Sequence, residues 1–485
     1  MQSNELIELA KHVQEQRAEA QTIEVKSAHG GCPSKLYDTL SSFSNQDSGG
    51  VILFGLDEKS GFAAVGVYDI QDLQKQISEQ CKQMCPPVRA VFTSAEYGNV
   101  YICAAEIPAL DVSERPCYYS GKGRQSGSYI RVGDADEQMS DYEIYSYEAF
   151  RRHVQDDVRV VERAKISLMD QDSLLRYVLE KKKDKPQFSQ FSQEDIYEML
   201  NVTRDGAATL AAVMMFAPFP QGFFPQLAVT AVVVPGTTIG DIDSDGARFT
   251  NNRRIEGNLP TMFNEAMSFC VRSMKVKTII DPSTGVRRDE TEYPIAAIRE
   301  ILLNALIHRD YSVHTEGTPI QVDFFSDRLE VHSPGGLYGR LTVDQLGHCR
   351  PDCRNPALAT MAETLTEAEN RYSGIPTIRR AMKEAGLPEP IFINRRNEFI
   401  VVLKNSSETV PALVHADMQS VNNSNELLEF CAIPRSRDEI TEFLGIKTVY
   451  HAMVRYIRPL IASGQLAMTI PDKPKSKNQK YFKNI

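Results

Sequence analysis

The sequence predicts a multidomain α/β protein, and three observations carry that expectation. Strand-like and helix-like segments alternate from the N-terminus to about residue 160, and again from 276 to 404. A chain of 485 residues is too long for one core, and about three or four domains is the fair expectation. The last stretch, 425–485, reads as three short helices followed by a hairpin. The resulting partition is an α/β domain over 1–160, a helical middle region over 161–275, a second α/β domain over 276–404, a linker over 405–424, and a small domain over 425–485.

Bulk composition narrows the classes. A hydrophobic content of 42% and a charged content of 24% are those of an ordinary soluble globular chain. A net charge of -10 argues against indiscriminate coating of nucleic acid, so any such contact is expected to be local. Nine scattered cysteines point to a reducing cytoplasm. Met1–Ala20 reads as a charged amphipathic helix and not as a signal peptide. Gly206–Gly240 has no charged side chain, but Pro218, Pro220 and Pro225 cut it too short to span a membrane. It reads as a buried helix, a loop and a buried strand.

In the first block, helices are expected over Glu5–Ala20, Ser34–Asn45, Ile70–Cys81 and Asp141–Arg152. Strands are expected over Thr22–Lys26, Val51–Leu56, Val88–Ala95, Val100–Glu106 and Ser128–Val132. Alternation sends Glu24 and Lys26 to one face of their strand. Glu19 lies five residues earlier, and Asp57 follows the strand after Gly49-Gly50. Carboxylates converging on one point need a cation or proton between them, which a divalent metal would supply. A surface ion pair of Glu24 with Lys26, with Asp57 as a turn residue, fits the same pattern. Cys117–Arg131 reads as a hairpin with Lys122, Arg124 and Arg131 among Tyr118, Tyr119 and Tyr129, a composition suited to a nucleic-acid backbone. Glu180–Gln193 reads as a loop or linker.

In the second α/β block, Pro294–His308 is a helix with a wide apolar surface and one polar stripe, Glu300, Asn304 and His308, at i, i+4, i+8. A ligand, a metal or a satisfied polar network would each account for that stripe. Phe324–His332 reads as a strand running into Ser333-Pro334-Gly335-Gly336, and Ser373-Gly374 opens another helix. Glycines placed there let phosphates meet backbone N–H groups. Cys349 and Cys353 beside His348 fit structural zinc poorly. At the C-terminus, Thr448–Ile461 reads as a third helix whose start, Thr448–Arg455 with His451, Arg455 and Tyr456, would enter a major groove, or would serve a protein contact on the same fold. Lys473, Lys475, Lys477 and Lys480 would line a wing touching phosphate.

Together these motifs resemble a known bacterial architecture. Glu19, Glu24-x-Lys26, Asn45…Gly49-Gly50, Gly55-x-Asp57 and GSYIRVG resemble the Schlafen-type AlbA_2 domain. REILLNALIHRDY, EVHSPGGL, CRNPALA and SGIPTIRRAMKEAGLPEP resemble the divergent histidine-kinase-like (GHKL-type, RecG C-terminal-like) ATPase domain, and KPKSKNQKY resembles its winged-helix end. The resemblance implies a metal-dependent endoribonuclease acting on tRNA or structured RNA, gated by nucleotide, in phage defence or stress. Glu19, Glu24 and Asp57 would hold Mg²⁺ or Mn²⁺, Lys26 would meet the transition-state phosphate, and Lys122, Arg124 and Arg131 would guide RNA. Glu300, Asn304, His308, Gly335, Gly336 and Gly374 would bind ATP with Asn304 on Mg²⁺, with weak ATPase activity. His332-Ser333-Pro334 lacks the Asp that reads adenine in the superfamily, so base recognition is expected to be weak or altered. The alternative it implies is an ATP-responsive DNA-binding transcriptional regulator without nuclease activity. Self-association into a homo-oligomer is expected, and a membrane partner is not.

Overall fold

The computed structural model describes residues 1–280, 287–366, 373–395 and 397–405, together with 427, 430–443, 457, 460–461, 466–469 and 480–483. The chain divides into two compact units, Met1–Ser407 and Glu408–Ile485. Among the described residues, no helix is long and apolar enough to cross a membrane.

The first unit begins with helix α1 (Ser3–Gln16), whose Leu6, Ala10 and Val13 recur at helical spacing and are buried. Strands β1 (Ile23–Lys26), β2 (Gly50–Phe54), β3 (Val91–Tyr97) and β4 (Val100–Ile107) form a four-stranded sheet in the order β1-β2-β4-β3. β1 and β2 are parallel, with Glu24 opposite Ile52 and Lys26 opposite Phe54. Parallel neighbours need a crossover, and helix α2 (Tyr37–Asn45) supplies it. Alternation then divides the sheet between two cores: Ile52 and Phe54 pack under Leu40 and Phe43 of α2, while Val25 and Leu53 pack under α1. Gly49 has φ 65°, and a Cβ there would fall 2.4 Å from the Ile107 carbonyl oxygen, so only glycine lets the chain turn into β2.

The segment expected as a basic hairpin over Cys117–Arg131 folds otherwise. Tyr118–Tyr119 is a short strand and Gly123–Gly127 is one helical turn. The hairpin lies further on, between β5 (Tyr129–Val132) and β6 (Ala135–Gln138). Asn45 fixes this region to α2. Its amide donates to the Cys117 and Tyr129 carbonyls at 2.9 and 3.0 Å, and its oxygen accepts from Cys117 N–H at 2.7 Å. Helix α3 (Asp141–Arg151) follows, started by a Ser140–Glu143 capping box.

The remainder of the unit is built on a six-stranded sheet of β7 (Val229–Val233), β8 (Asn251–Ile255), β9 (Ile320–Phe324), β10 (Arg328–Pro334), β11 (Ile391–Asn394) and β12 (Glu398–Lys404), in the order β8-β7-β9-β10-β12-β11. β7 lies parallel to β9, so the sheet runs across the boundary drawn at residue 275. A single core from Val158 to Leu403 joins both sides of it. The run expected as one strand over Phe324–His332 is split by a turn, because β9 and β10 pair antiparallel. Glu180–Gln193, expected as a loop or linker, begins inside helix α4, which covers Gln171–Asp184, and continues as a 3-10 helix over Pro186–Gln190. Helices α5 (Leu259–Ser273), α6 (Ile295–His308) and α7 (Gly374–Glu384) send buried side chains into that core. Buried Asn355 donates to the Ile307 and Arg309 carbonyls at 2.9 and 2.8 Å and so satisfies the C-terminal end of α6.

In the second unit, Leu466–Met468 pairs antiparallel with Lys480–Lys483, the hairpin read from the sequence, and Arg435–Ser436 adds a third strand before helix Arg437–Phe443. Lys473, Lys475, Lys477 and the expected recognition-helix residues His451, Arg455 and Tyr456 lie outside the described residues.

Candidate functional site

Two polar sites are built into the first unit. The first lies at β1. Glu24 is buried, and Arg131 from β5 reaches its Oε2 at 2.8 Å while Lys26 pairs with the other oxygen. The same guanidinium nitrogen lies 3.5 Å from Glu19 Oε2, and Arg131 Nη1 is 3.0 Å from Asp136. Glu19 Oε1 accepts the Val25 N–H at 2.8 Å. Thr39 and Ser42 donate to Asp136 at 2.7 and 2.6 Å, and the guanidinium lies 5.3 Å from the centre of the Phe43 ring. Burial, and then the charge of Glu24, push the Glu19 carboxyl up to about 7. The site is thus an acid cluster closed over a 4% exposed arginine.

Glu19 and Glu24 do converge, and the Glu24–Lys26 ion pair forms. Asp57 is engaged elsewhere: it heads the turn Glu58–Ser60 and takes the Ser60 hydroxyl. Among the described residues no three acidic, histidine or cysteine side chains are gathered as a metal requires. The donor set therefore does not fit a divalent ion as it stands, because Arg131 already supplies the positive charge between Glu19 and Glu24. Arg131, expected beside Lys122 and Arg124 as a nucleic-acid contact, points inward. Lys122 faces Asp38 at 3.2 Å and the Tyr129 hydroxyl at 2.9 Å, and Arg124 pairs with Glu148.

The second site is a cavity of about 240 Å³ walled by α6, β10, β12 and the start of α7. Its lining includes Glu300, Asn304, His308, Gly335, Gly336 and Gly374, the residues read from the sequence as a set. The polar stripe of α6 faces the cavity because Ile298, Leu302 and Leu306 take the core side. Gly374 closes against that stripe. A Cβ there would lie 3.1 Å from both Asn304 Nδ2 and Glu300 Oε2. Glu300 also pairs with Arg299 at 2.8 Å. His308 lines the cavity while keeping an exposed side, and packing against the cavity walls, then the charge of Arg354, push its imidazole below the ordinary value.

Strand alternation turns Val331 and Ser333 toward the cavity and His332 to the opposite face. There His332 lies 3.0 Å from Glu330 and 3.1 Å from Glu398. Burial opposes its charge, but the two carboxylates outweigh burial and lift it to about 9. Ser333, which donates to the Ala305 carbonyl at 3.2 Å, is thus the polar side chain of this strand end that faces the cavity. Arg354 was not singled out from the sequence, although CRNPALA contains it, and it too lines the cavity. Cys349 and Cys353 also line it, while His348 lies 3.4 Å from Arg379.

Fold and sites give the first unit two α/β parts: a four-stranded part with a buried acid–arginine cluster, and a six-stranded part with a glycine-walled polar cavity. Comparison with known families agrees with that division. Residues 19–140 match the family described as "Schlafen, AlbA_2", and residues 317–403 match "Putative ATP-dependent DNA helicase recG C-terminal". Residues 423–482 match "Filamentation induced by cAMP protein Fic-like, C-terminal domain". Among solved structures, the DIP2311 protein from Corynebacterium diphtheriae is 19% identical, over 96% of this chain and 93% of that one, with a TM-score of 0.40. The N-terminal domain of a RecG-related protein from Nitrosomonas europaea is 23% identical, over 29% of this chain and 94% of that one, with a TM-score of 0.23. No curated protein matches the chain.

Proposed function

We propose that this chain is a nucleotide-responsive protein that acts on nucleic acid, with the cavity of the six-stranded domain as the nucleotide site and the AlbA_2 domain as the nucleic-acid end. The observation that carries this reading is the meeting of Glu300, Asn304, His308, Gly335, Gly336 and Gly374 around one cavity. These are the groups that phosphate and its magnesium would need: a helix N-terminus, glycines that admit close approach, and an oxygen donor. A six-stranded sheet whose helices share one core supports a GHKL-like ATP-binding fold. The matches to AlbA_2 and to the RecG C-terminal region support nucleic acid as the second partner. A winged-helix role for the C-terminal unit, with Lys480 in the wing, belongs to the same reading.

In its enzymatic form the protein is an endoribonuclease, and Mg²⁺ or Mn²⁺ must then win Glu19 and Glu24 from Arg131 and recruit Asp57. The second form is an ATP-responsive DNA-binding regulator that breaks no bond. It is favoured by one observation, the guanidinium already seated between the two glutamates. The assay that divides them incubates the chain with tRNA, single-stranded RNA and duplex DNA in Mg²⁺ and in Mn²⁺, beside Glu24→Ala and Asp57→Ala. The enzymatic form predicts cleavage lowered by about 10²-fold or more in both variants. Absence of cleavage, or cleavage that neither substitution touches, sinks that form; retention of any of these nucleic acids then supports the regulator, and failure to retain all of them overturns the reading as a whole.

A further inference from the structure

The cavity has a charged wall that nothing above assigns a role. Arg354 is 8% exposed and lines the cavity. Its Nη2 donates to the Gly336 carbonyl at 2.9 Å, whereas among the described residues its Nη1 makes no hydrogen bond and faces the Asp310 carboxylate as an ion pair at 3.4 Å. A buried guanidinium N–H without an acceptor is costly unless something else fills the place. The N-terminus of α7 at Gly374 belongs to the same lining. Two independent donors of positive potential therefore face one cavity.

Asp310 is the link to the other domain. It follows the C-cap residue Arg309 of α6, it is 4% exposed, and its backbone N–H donates to the Pro334 carbonyl at 2.8 Å, next to the Gly335 turn. Its Oδ1 accepts the Ser312 N–H at 2.8 Å. Its Oδ2, the oxygen nearest Arg354, accepts the hydroxyl of Tyr142 at 2.8 Å. Tyr142 belongs to α3, which begins directly after the AlbA_2-matched residues 19–140, and does not line the cavity. A parallel contact runs from the Arg354 guanidinium over Tyr338, 5.1 Å from the ring centre, to an edge-on packing of Tyr338 against Phe150 of α3 at 5.4 Å.

We propose that Arg354 reads the anionic, phosphate-bearing end of the cavity's ligand and passes its presence to the AlbA_2 domain through Asp310 and Tyr142. This inference rests on the nucleotide reading of the cavity. A phosphate oxygen that takes Nη1 competes with Asp310 for the same cation. Asp310 can yield it because Tyr142 and Ser312 still hold the carboxylate. Linkage makes the effect reciprocal: whatever weakens the Tyr142–Asp310 bond tightens Asp310 on Arg354 and weakens the ligand.

The test titrates the full chain, wild type and the variants Arg354→Gln and Tyr142→Phe, with Mg–ATP, inorganic triphosphate and adenosine by calorimetry. The melting curve of each variant is recorded alongside. Arg354→Gln is expected to lose about tenfold or more in affinity for ATP and triphosphate, and little for adenosine. Tyr142→Phe removes a single hydroxyl outside the cavity and is expected to cost about fivefold on the same two ligands. Wild-type binding of ATP with neither variant affected overturns this inference and leaves the nucleotide site standing. Wild-type failure to bind ATP or triphosphate removes the nucleotide reading and this inference with it. If Arg354→Gln does not fold, Tyr142→Phe decides: unchanged triphosphate affinity there refutes the coupling.

Discussion

Replacing Arg131 with alanine is expected to destabilise the N-terminal domain by about 3–5 kcal/mol, because it leaves buried carboxylates without their shared cation. Glu24, Glu19 and Asp136 all face that guanidinium, and Glu24 and Arg131 are both buried. Lys26 remains for Glu24, but it contacts neither Glu19 nor Asp136 directly. Arg131→Lys is expected to recover only part of the loss, since an ammonium cannot span three carboxylates as a planar fork does. The chain has no tryptophan to report on this domain, so backbone amide exchange in Ile23–Lys26 is the suitable readout. A loss of this size raises exchange there by about 10²-fold or more when the domain opens as a unit. Adding Glu19→Gln and Glu24→Gln to the alanine variant is expected to restore much of the protection. Exchange in Arg131→Ala equal to wild type means that the cluster is not what holds β1 to β5.

Gly335→Val is expected to cost about 2–5 kcal/mol and to deform the cavity. Gly335 has φ 94°, a region L-residues avoid at roughly 1–2 kcal/mol. A Cβ there would also sit 2.3 Å from Arg354 Nη1 and 2.4 Å from Asp310 Cβ. The Asp310 atom is close to the backbone and cannot swing away, so overpacking adds about 1–3 kcal/mol. Gly386→Ala is the internal control: its φ is 66° but nothing lies within 4 Å of the built Cβ, so strain acts alone. Thermal melting that falls by several degrees more for Gly335→Val than for Gly386→Ala checks the clash. Equal decreases mean that Arg354 and Asp310 move aside freely.

Much of both sites was legible along the chain, for reasons that differ by residue. Glu24 and Lys26 were placed on one face of β1 by alternation alone, and their ion pair needs nothing further. The Glu300, Asn304 and His308 stripe was legible because apolar residues fill the rest of α6 and leave it one direction to face. Arg131 was not legible. Its sequence neighbours are glycines and tyrosines, which suggest a surface hairpin, and only the packing of β5 on α2 turns it inward toward acids more than a hundred residues away. Arg354 and Asp310 escaped for the same reason, since their partners Gly336 and Tyr142 are supplied by tertiary contact. The sheet that joins β7 to β9 was hidden as well: buried strands of a parallel pair carry no mark of their partner.

The central claim is that the cavity under Asn304 binds nucleotide. The direct measurement is the melting temperature of wild type and Asn304→Ala across a titration with Mg–ATP. A ligand at about a hundred times its dissociation constant stabilises the folded chain by about 2.7 kcal/mol. The account predicts a melting temperature that climbs with nucleotide in wild type and stays nearly flat in Asn304→Ala. Equal shifts in the two proteins, or no shift in either, would contradict it.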